Sequence, residues 1–138
     1  MKCYISYPIS FATREDTGFR EFVRDYLTRY PEIETYDPLR DEPEGLPIHA
    51  LQEHDLEIMG TVDAVLVIWS RAAPSSAGVL AEIEWARRIF NIPVAIYRPD
   101  EEVRISPWTV ATVEGRVFGV LEEAVAELKW ALGEEVAA

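Results

Sequence analysis

Two acidic side chains fall on helix faces that otherwise read as core. At about 100° per residue, a helix predicted from about Pro47 to Met59 gathers Ile48, Leu51, Ile58 and Met59 on one side. Asp55 stands in the middle of that side, with Glu53 and Glu57 on its flanks or beyond. The helix predicted from about Gly78 to Phe90 repeats the pattern. Val79, Ile83, Ala86, Ile89 and Phe90 mark its inner side, Glu82 sits at the edge of it, and Glu84, Arg87 and Arg88 point away. A buried carboxylate without a partner is strongly disfavoured as an ion, or else takes up a proton. Each of these two can be neutralised by an arginine or by capping a loop. Two together, in different surroundings, can also divide the roles of nucleophile and acid. His49 and His54 have no third ligand at a recognised spacing, so neither a metal nor another cofactor is expected.

The elements that must position these groups alternate along the chain. Strands are predicted at Lys2–Tyr7, Ile33–Tyr36, Val62–Ser70, Ile92–Tyr97 and Val117–Val120. The third contains an unbroken apolar run, as a central parallel strand buried on both faces requires. A helix capped near Thr13 carries Phe19, Phe22, Val23, Tyr26 and Leu27 at helical spacing, and a final helix runs from Leu121 to about Leu132. A loop rich in Pro, Asp and Glu is expected from Asp37 to Gly45, and a short acidic and alanine tail closes the chain. This order predicts one α/β domain over residues 1–138, a doubly wound sheet of about five parallel strands flanked by helices. Ligands of such sheets bind at the carboxyl ends of the strands, which directs attention to Tyr7–Thr13, Ser70–Gly78 and Arg98–Trp108. Arg71, Arg98 and Arg104 lie in loops at that end. Ser76 is placed to cap the helix that follows it.

Thirteen basic residues against twenty-five acidic ones give a formal net charge of −12. Such a surface repels nucleic-acid polymers, though a local cluster of donors can still hold a small phosphate. A single cysteine, Cys3, inside a strand predicted to be buried suits a reducing compartment. No apolar run is long enough to span a bilayer and no signal peptide precedes the first strand, so a cytoplasmic protein without a membrane partner is expected.

Several stretches resemble the nucleoside 2-deoxyribosyltransferase superfamily. Ser76-Ala77-Gly78-Val79-Leu80-Ala81-Glu82-Ile83, with Ala86 after it, is similar to the family's nucleophile motif. His54-Asp55-Leu56-Glu57 followed by Val62–Val67 resembles the segment carrying its acidic Asp and central strand. Tyr4-Ile5-Ser6-Tyr7-Pro8-Ile9 resembles its first strand and substrate-binding turn, and Ile105-Ser106-Pro107-Trp108 the segment that reaches a neighbouring subunit's site. The closest likeness is to the deoxynucleoside 5′-monophosphate N-glycosidases. Ser76 stands where the transferases have a sugar-binding Asp and the nucleotide hydrolases a phosphate-contacting Ser, and Ser106 matches a second such serine.

The resemblance implies that Glu82 attacks C1′ to form a glycosyl ester, that Asp55 assists departure of the base, and that Tyr4 holds Glu82. It implies substrate contacts at Tyr7, Ser76, Gly78, Ser106, Trp108 and Arg71, with Ser106 acting across a homodimer or larger homo-oligomer. Tyr7 stands where the family usually has Gly, and would crowd the approach to the first turn. Tyr4 is equally readable as a packed strand residue. Transfer of the sugar to a second base is the nearest alternative. The opening strand, the Ser70–Ser76 loop and the Glu82 helix also resemble a TIR domain, which would cleave NAD or assemble signalling complexes.

Overall fold

The computed structural model describes residues 1–9 and 12–133. Two positions of the Tyr7–Thr13 loop and the acidic and alanine tail from 134 onward lie outside the described residues. The element order is β1 (Lys2–Ser6), α1 (Arg14–Leu27), β2 (Glu34–Tyr36), α2 (Pro38–Asp41), α3 (Ile48–Met59) and β3 (Ala64–Ile68). A 3₁₀ turn (Ala73–Ser75) precedes α4 (Ala77–Glu84), followed by β4 (Val94–Tyr97), α5 (Pro107–Thr112), β5 (Val117–Phe118) and α6 (Leu121–Ala131). The five strands are parallel and ordered β2-β1-β3-β4-β5. The expected doubly wound α/β sheet is therefore present. Its strand order reverses direction between β1 and β3, the position at whose strand ends sheets of this kind bind ligands.

Alternation along the strands divides the core in two. Cys3, Ile5 and Tyr7 share one face with Leu66, Ile68, Ala95 and Tyr97, and pack on α1 and α6 through Val23, Leu27, Leu121, Val125 and Leu128. Tyr4 faces the other way with Val65, Val67, Trp69 and Ile96, against Met59 of α3 and Val79 and Ile83 of α4. All five residues of β3 are buried, as its unbroken apolar run requires.

The structure departs from the sequence expectations at four places. The Asp37–Gly45 stretch holds the short helix α2, and Arg98–Trp108 runs into α5; each begins with a polar cap, Asp37 or Ser106, followed by proline. Ile48 does not join the apolar face of α3, since it is 73% exposed and only Met59 of that helix is fully buried. Ile89 likewise points outward at 59% exposure. The cause is a π-helical turn over Trp85–Ile89, in which the Phe90 amide donates to the Trp85 carbonyl. That wider turn shifts the helical phase, so the sequence periodicity fails after Ala86.

Candidate active site

Glu82 lies on the inner side of α4, one turn past Gly78, and is 9% exposed. Its Oε1 accepts a hydrogen bond from Ser6 Oγ at 3.1 Å, at the carboxyl end of β1. Ser6 follows Tyr4 by two, so both side chains reach the same face of the sheet. The Tyr4 hydroxyl is buried with no well-formed hydrogen bond of its own, and it lies against Glu82 closely enough to favour the ionised carboxylate. Burial pushes the Glu82 carboxyl up to about 7; the hydrogen-bonding groups of Tyr4 and Ser6 oppose that rise and the charge of Asp55 adds to it. Burial, then the Glu82 charge, drives Tyr4 strongly upward, so Tyr4 is a neutral phenol.

Asp55, on α3, is mostly buried. Its Oδ1 accepts from Tyr36 Oη at 3.3 Å and lies 3.3 Å from His54 Nδ1. Tyr36 ends β2, and its ring packs 5.2 Å from that of Tyr4, so neighbouring strands and two helices converge on one spot. A third carboxyl joins them. Glu42, just after α2, is half-buried; burial first, then the influence of Asp55 and the Glu82 charge, raises its carboxyl to about 8. Tyr4, Asp55 and Glu82 lie in one region of the fold, with Ser6, Tyr36 and Glu42 as neighbours that the sequence does not single out. Ser6 had a usable signal in its two-residue spacing from Tyr4; Glu42 had none, because no periodicity marks so short a segment.

The remaining candidates fall elsewhere. Tyr7 does not reach Glu82, because alternation along β1 turns it to the opposite face. There its hydroxyl donates to Asp37 Oδ1 at 2.7 Å beneath the Arg20 guanidinium. Tyr7 therefore does not crowd the Glu82 side of the first turn. Ser76 caps α4, its Oγ accepting from the Val79 amide at 3.2 Å, and Gly78 sits exposed in that first turn. Ser106 caps α5 in the same way through the Trp108 amide at 3.1 Å. Ser106 and Trp108 line an open cleft of about 360 Å³ with Trp69, Pro74, Leu80 and Ile83; neither Glu82 nor Asp55 is among its lining residues. Trp108 is 72% exposed. Arg71 is exposed beside Glu15, Arg104 is exposed, and Arg98 reaches the Val103 carbonyl. Among the described residues no group of three or more His, Cys, Asp or Glu is arranged to hold a metal, and no helix is long and apolar enough to cross a membrane.

No family model matches the chain, and no curated protein matches it in sequence. Solved structures do match its fold. A conserved protein from Enterococcus faecalis V583 superposes with a TM-score of 0.75 at 18% identity, over 94% of this chain and 97% of that one. A 2-deoxyribosyltransferase from Bacillus psychrosaccharolyticus matches with a TM-score of 0.67 at 17% identity, over 89% of each chain. A 2-deoxyribosyltransferase from Leishmania mexicana matches at 0.65 and 14% identity, over 91% of this chain and 95% of that one. The chain therefore has the 2-deoxyribosyltransferase type of fold along nearly its whole length.

Proposed function

We propose that this chain is a single-domain cytoplasmic enzyme that cleaves the N-glycosidic bond of a 2′-deoxynucleoside 5′-monophosphate or nucleoside. The observation that carries the reading is the buried Glu82 carboxyl, held by Ser6 at the carboxyl end of β1 and within range of the Asp55 charge. Its fold is that of two proteins described as 2-deoxyribosyltransferases.

In this mechanism Glu82 attacks C1′ as the base departs, giving a glycosyl ester that water then opens. Ser6 holds the Glu82 carboxylate, and Ser6 and Tyr4 both favour its ionised form. Asp55 supports protonation of the base as the C1′–N bond breaks. Ser76 and Ser106 accept from backbone amides, so each keeps a hydroxyl proton to give to a phosphate. Trp108, Gly78 and Arg71 complete the substrate contacts, with Ser106 and Trp108 acting on the site of a second copy. Because Glu82 must be ionised to attack, kcat/KM rises with pH through about 7.

Transfer to a second base is the alternative, favoured by the activity in the names of two structural neighbours. One panel separates the readings: 2′-deoxynucleosides, their 5′-monophosphates, ribonucleosides and NAD, each with and without a free acceptor base. Release of base without an acceptor supports hydrolysis. Base exchange that requires an acceptor means transfer, and release of nicotinamide alone overturns the proposal in favour of a TIR-like activity. Glu82→Gln is expected to lose turnover by a factor of about 10³ or more, as loss of a nucleophile requires.

A further inference from the structure

Asp55 stands on α3, a helix of which only Met59 is fully buried, so apolar packing does little to fix its inner side chains. The contacts that reach Asp55 are polar. Tyr36 Oη donates to its Oδ1 at 3.3 Å, and His54 Nδ1 lies 3.3 Å from the same oxygen. The Tyr36 bond ties α3 to the sheet, whereas His54 precedes Asp55 on the helix itself.

Tyr36 is itself anchored. It pairs with Tyr4 between β1 and β2, and the two rings pack with centroids 5.2 Å apart. The next residue, Asp37, is clamped from α1, β1 and α2. Its carboxylate accepts from Arg20 Nη2 at 2.8 Å, Tyr7 Oη at 2.7 Å and the Leu39 amide at 3.1 Å. Arg20 and Asp37 are both buried, and separating such a pair strands a charge away from water. The end of β2 is therefore a fixed point, and the Tyr36 hydroxyl extends from it to Asp55. Burial, then the Asp55 charge, drives the phenol upward, so Tyr36 stays a donor.

We propose that Tyr36 is a positioning residue of this site, holding Asp55 by Oδ1 so that Oδ2 is the oxygen that serves the departing base. The assignment rests on the N-glycosidase reading and adds to it the residue that orients the acid. A carboxyl whose Oδ1 accepts from its neighbours carries its own proton on Oδ2. In the first step the C1′–N bond breaks, a Glu82 oxygen bonds to C1′, and the Oδ2 proton passes to the base. In the second, water adds its oxygen to C1′, Glu82 leaves as a carboxylate, and the water's proton returns to Oδ2. Tyr36 exchanges no proton in either step and touches no reacting atom. Its part is geometric, because an acid turned out of hydrogen-bond reach of the base cannot protonate it.

Wild type, Tyr36→Phe, Asp55→Asn and the double variant are compared on the nucleoside or nucleotide that the wild type cleaves. Tyr36→Phe keeps a ring against Tyr4 and should lose about 10-fold or more in kcat with KM nearly unchanged. In the Asp55→Asn background the same substitution should cost nothing further, because the acid it positions is gone. On a nitrophenyl 2-deoxyriboside, whose leaving anion needs no acid, Tyr36→Phe should cost little. Equal losses with and without Asp55, equal losses on both substrates, or no loss at all overturn the assignment and leave the glycosidase reading intact. An Asp55→Asn variant as active as wild type overturns it too, since no acid is then there to hold. Crystal structures of wild type and Tyr36→Phe need no turnover. Asp55 in one rotamer in the wild type and released from it in the variant supports the role; the same rotamer in both overturns it. A wild type that cleaves nothing in the panel overturns the glycosidase reading, and the role of Tyr36 with it.

Discussion

Glu82 occupies a place that disfavours its own ionised form, and stability should record it. Its carboxyl sits at about 7 in the folded chain against an ordinary 4.5, so its contribution to stability is fully present below pH 4.5 and is lost as pH rises through 7. Glu82→Gln keeps an oxygen that can accept from Ser6 but removes the charge. The variant should be more stable than wild type above pH 7 by on the order of 2 kcal/mol, with the gap closing below the ordinary carboxylate range. Thermal unfolding of the two proteins across that pH range checks this; a gap independent of pH would show that the carboxylate is not the cause. The same residue scale shows what the sequence could reveal. Periodicity marks Glu82 and Asp55 because each stands among apolar neighbours, and the two-residue spacing of Tyr4 and Ser6 brings a hydroxyl to Glu82. Tyr7 illustrates the reverse case. Its position beside the first turn suggests a substrate contact, yet strand alternation commits it to the opposite face and to Asp37.

At the scale of elements, the start of α1 is joined to the loop after β3 by one carboxylate. Asp16 completes a capping box with Thr13, accepting from the Thr13 amide at 2.7 Å and its hydroxyl at 2.8 Å, and its other oxygen accepts from the Ala72 amide at 3.3 Å. Burial acts to raise its carboxyl, but the nearby Ser70 hydroxyl and the hydrogen bonds from Thr13 and Ala72 outweigh burial and hold it below the usual range. Asp16→Asn should therefore destabilise the protein by on the order of 2 kcal/mol at neutral pH. A depressed carboxyl stabilises above its unfolded value and loses that effect as pH falls, so the deficit should shrink in acid. Denaturant unfolding at neutral and acidic pH measures both quantities, and an equal deficit at both would sink the argument. The capping box is visible in the sequence as Thr13-Arg14-Glu15-Asp16, whereas the contact to Ala72 is not, because it joins residues far apart in the chain. The long elements were legible for the same reason that the box was: each repeats a local pattern. Helices α2 and α5 are too short for periodicity, and only the Asp-Pro and Ser-Pro pairs at their starts announce them. The π-helical turn has no local signature, so periodicity alone places Ile89 inward where the structure turns it to solvent.

For the whole molecule, charge and apolar surface oppose each other in any self-association. Each chain carries a formal net charge of −12, so bringing two copies together is electrostatically unfavourable and is eased by salt. Against that stands the cleft beside α4, where Trp108 is largely exposed and Leu80 partly so. Large aromatic side chains of this kind dominate the energetics of interfaces. If Ser106 and Trp108 serve the site of a second copy, as proposed, wild type should sediment as a dimer or larger species whose association strengthens with added salt. Trp108→Glu should weaken association and lower turnover together, while leaving the unfolding temperature of the monomer nearly unchanged, because the side chain packs little within its own chain. Sedimentation velocity over a range of protein and salt concentrations tests the first expectation, and the variant's activity tests the second. A wild type that stays monomeric under all those conditions while cleaving substrate would show that one chain holds a complete site, with Ser106 and Trp108 outside it.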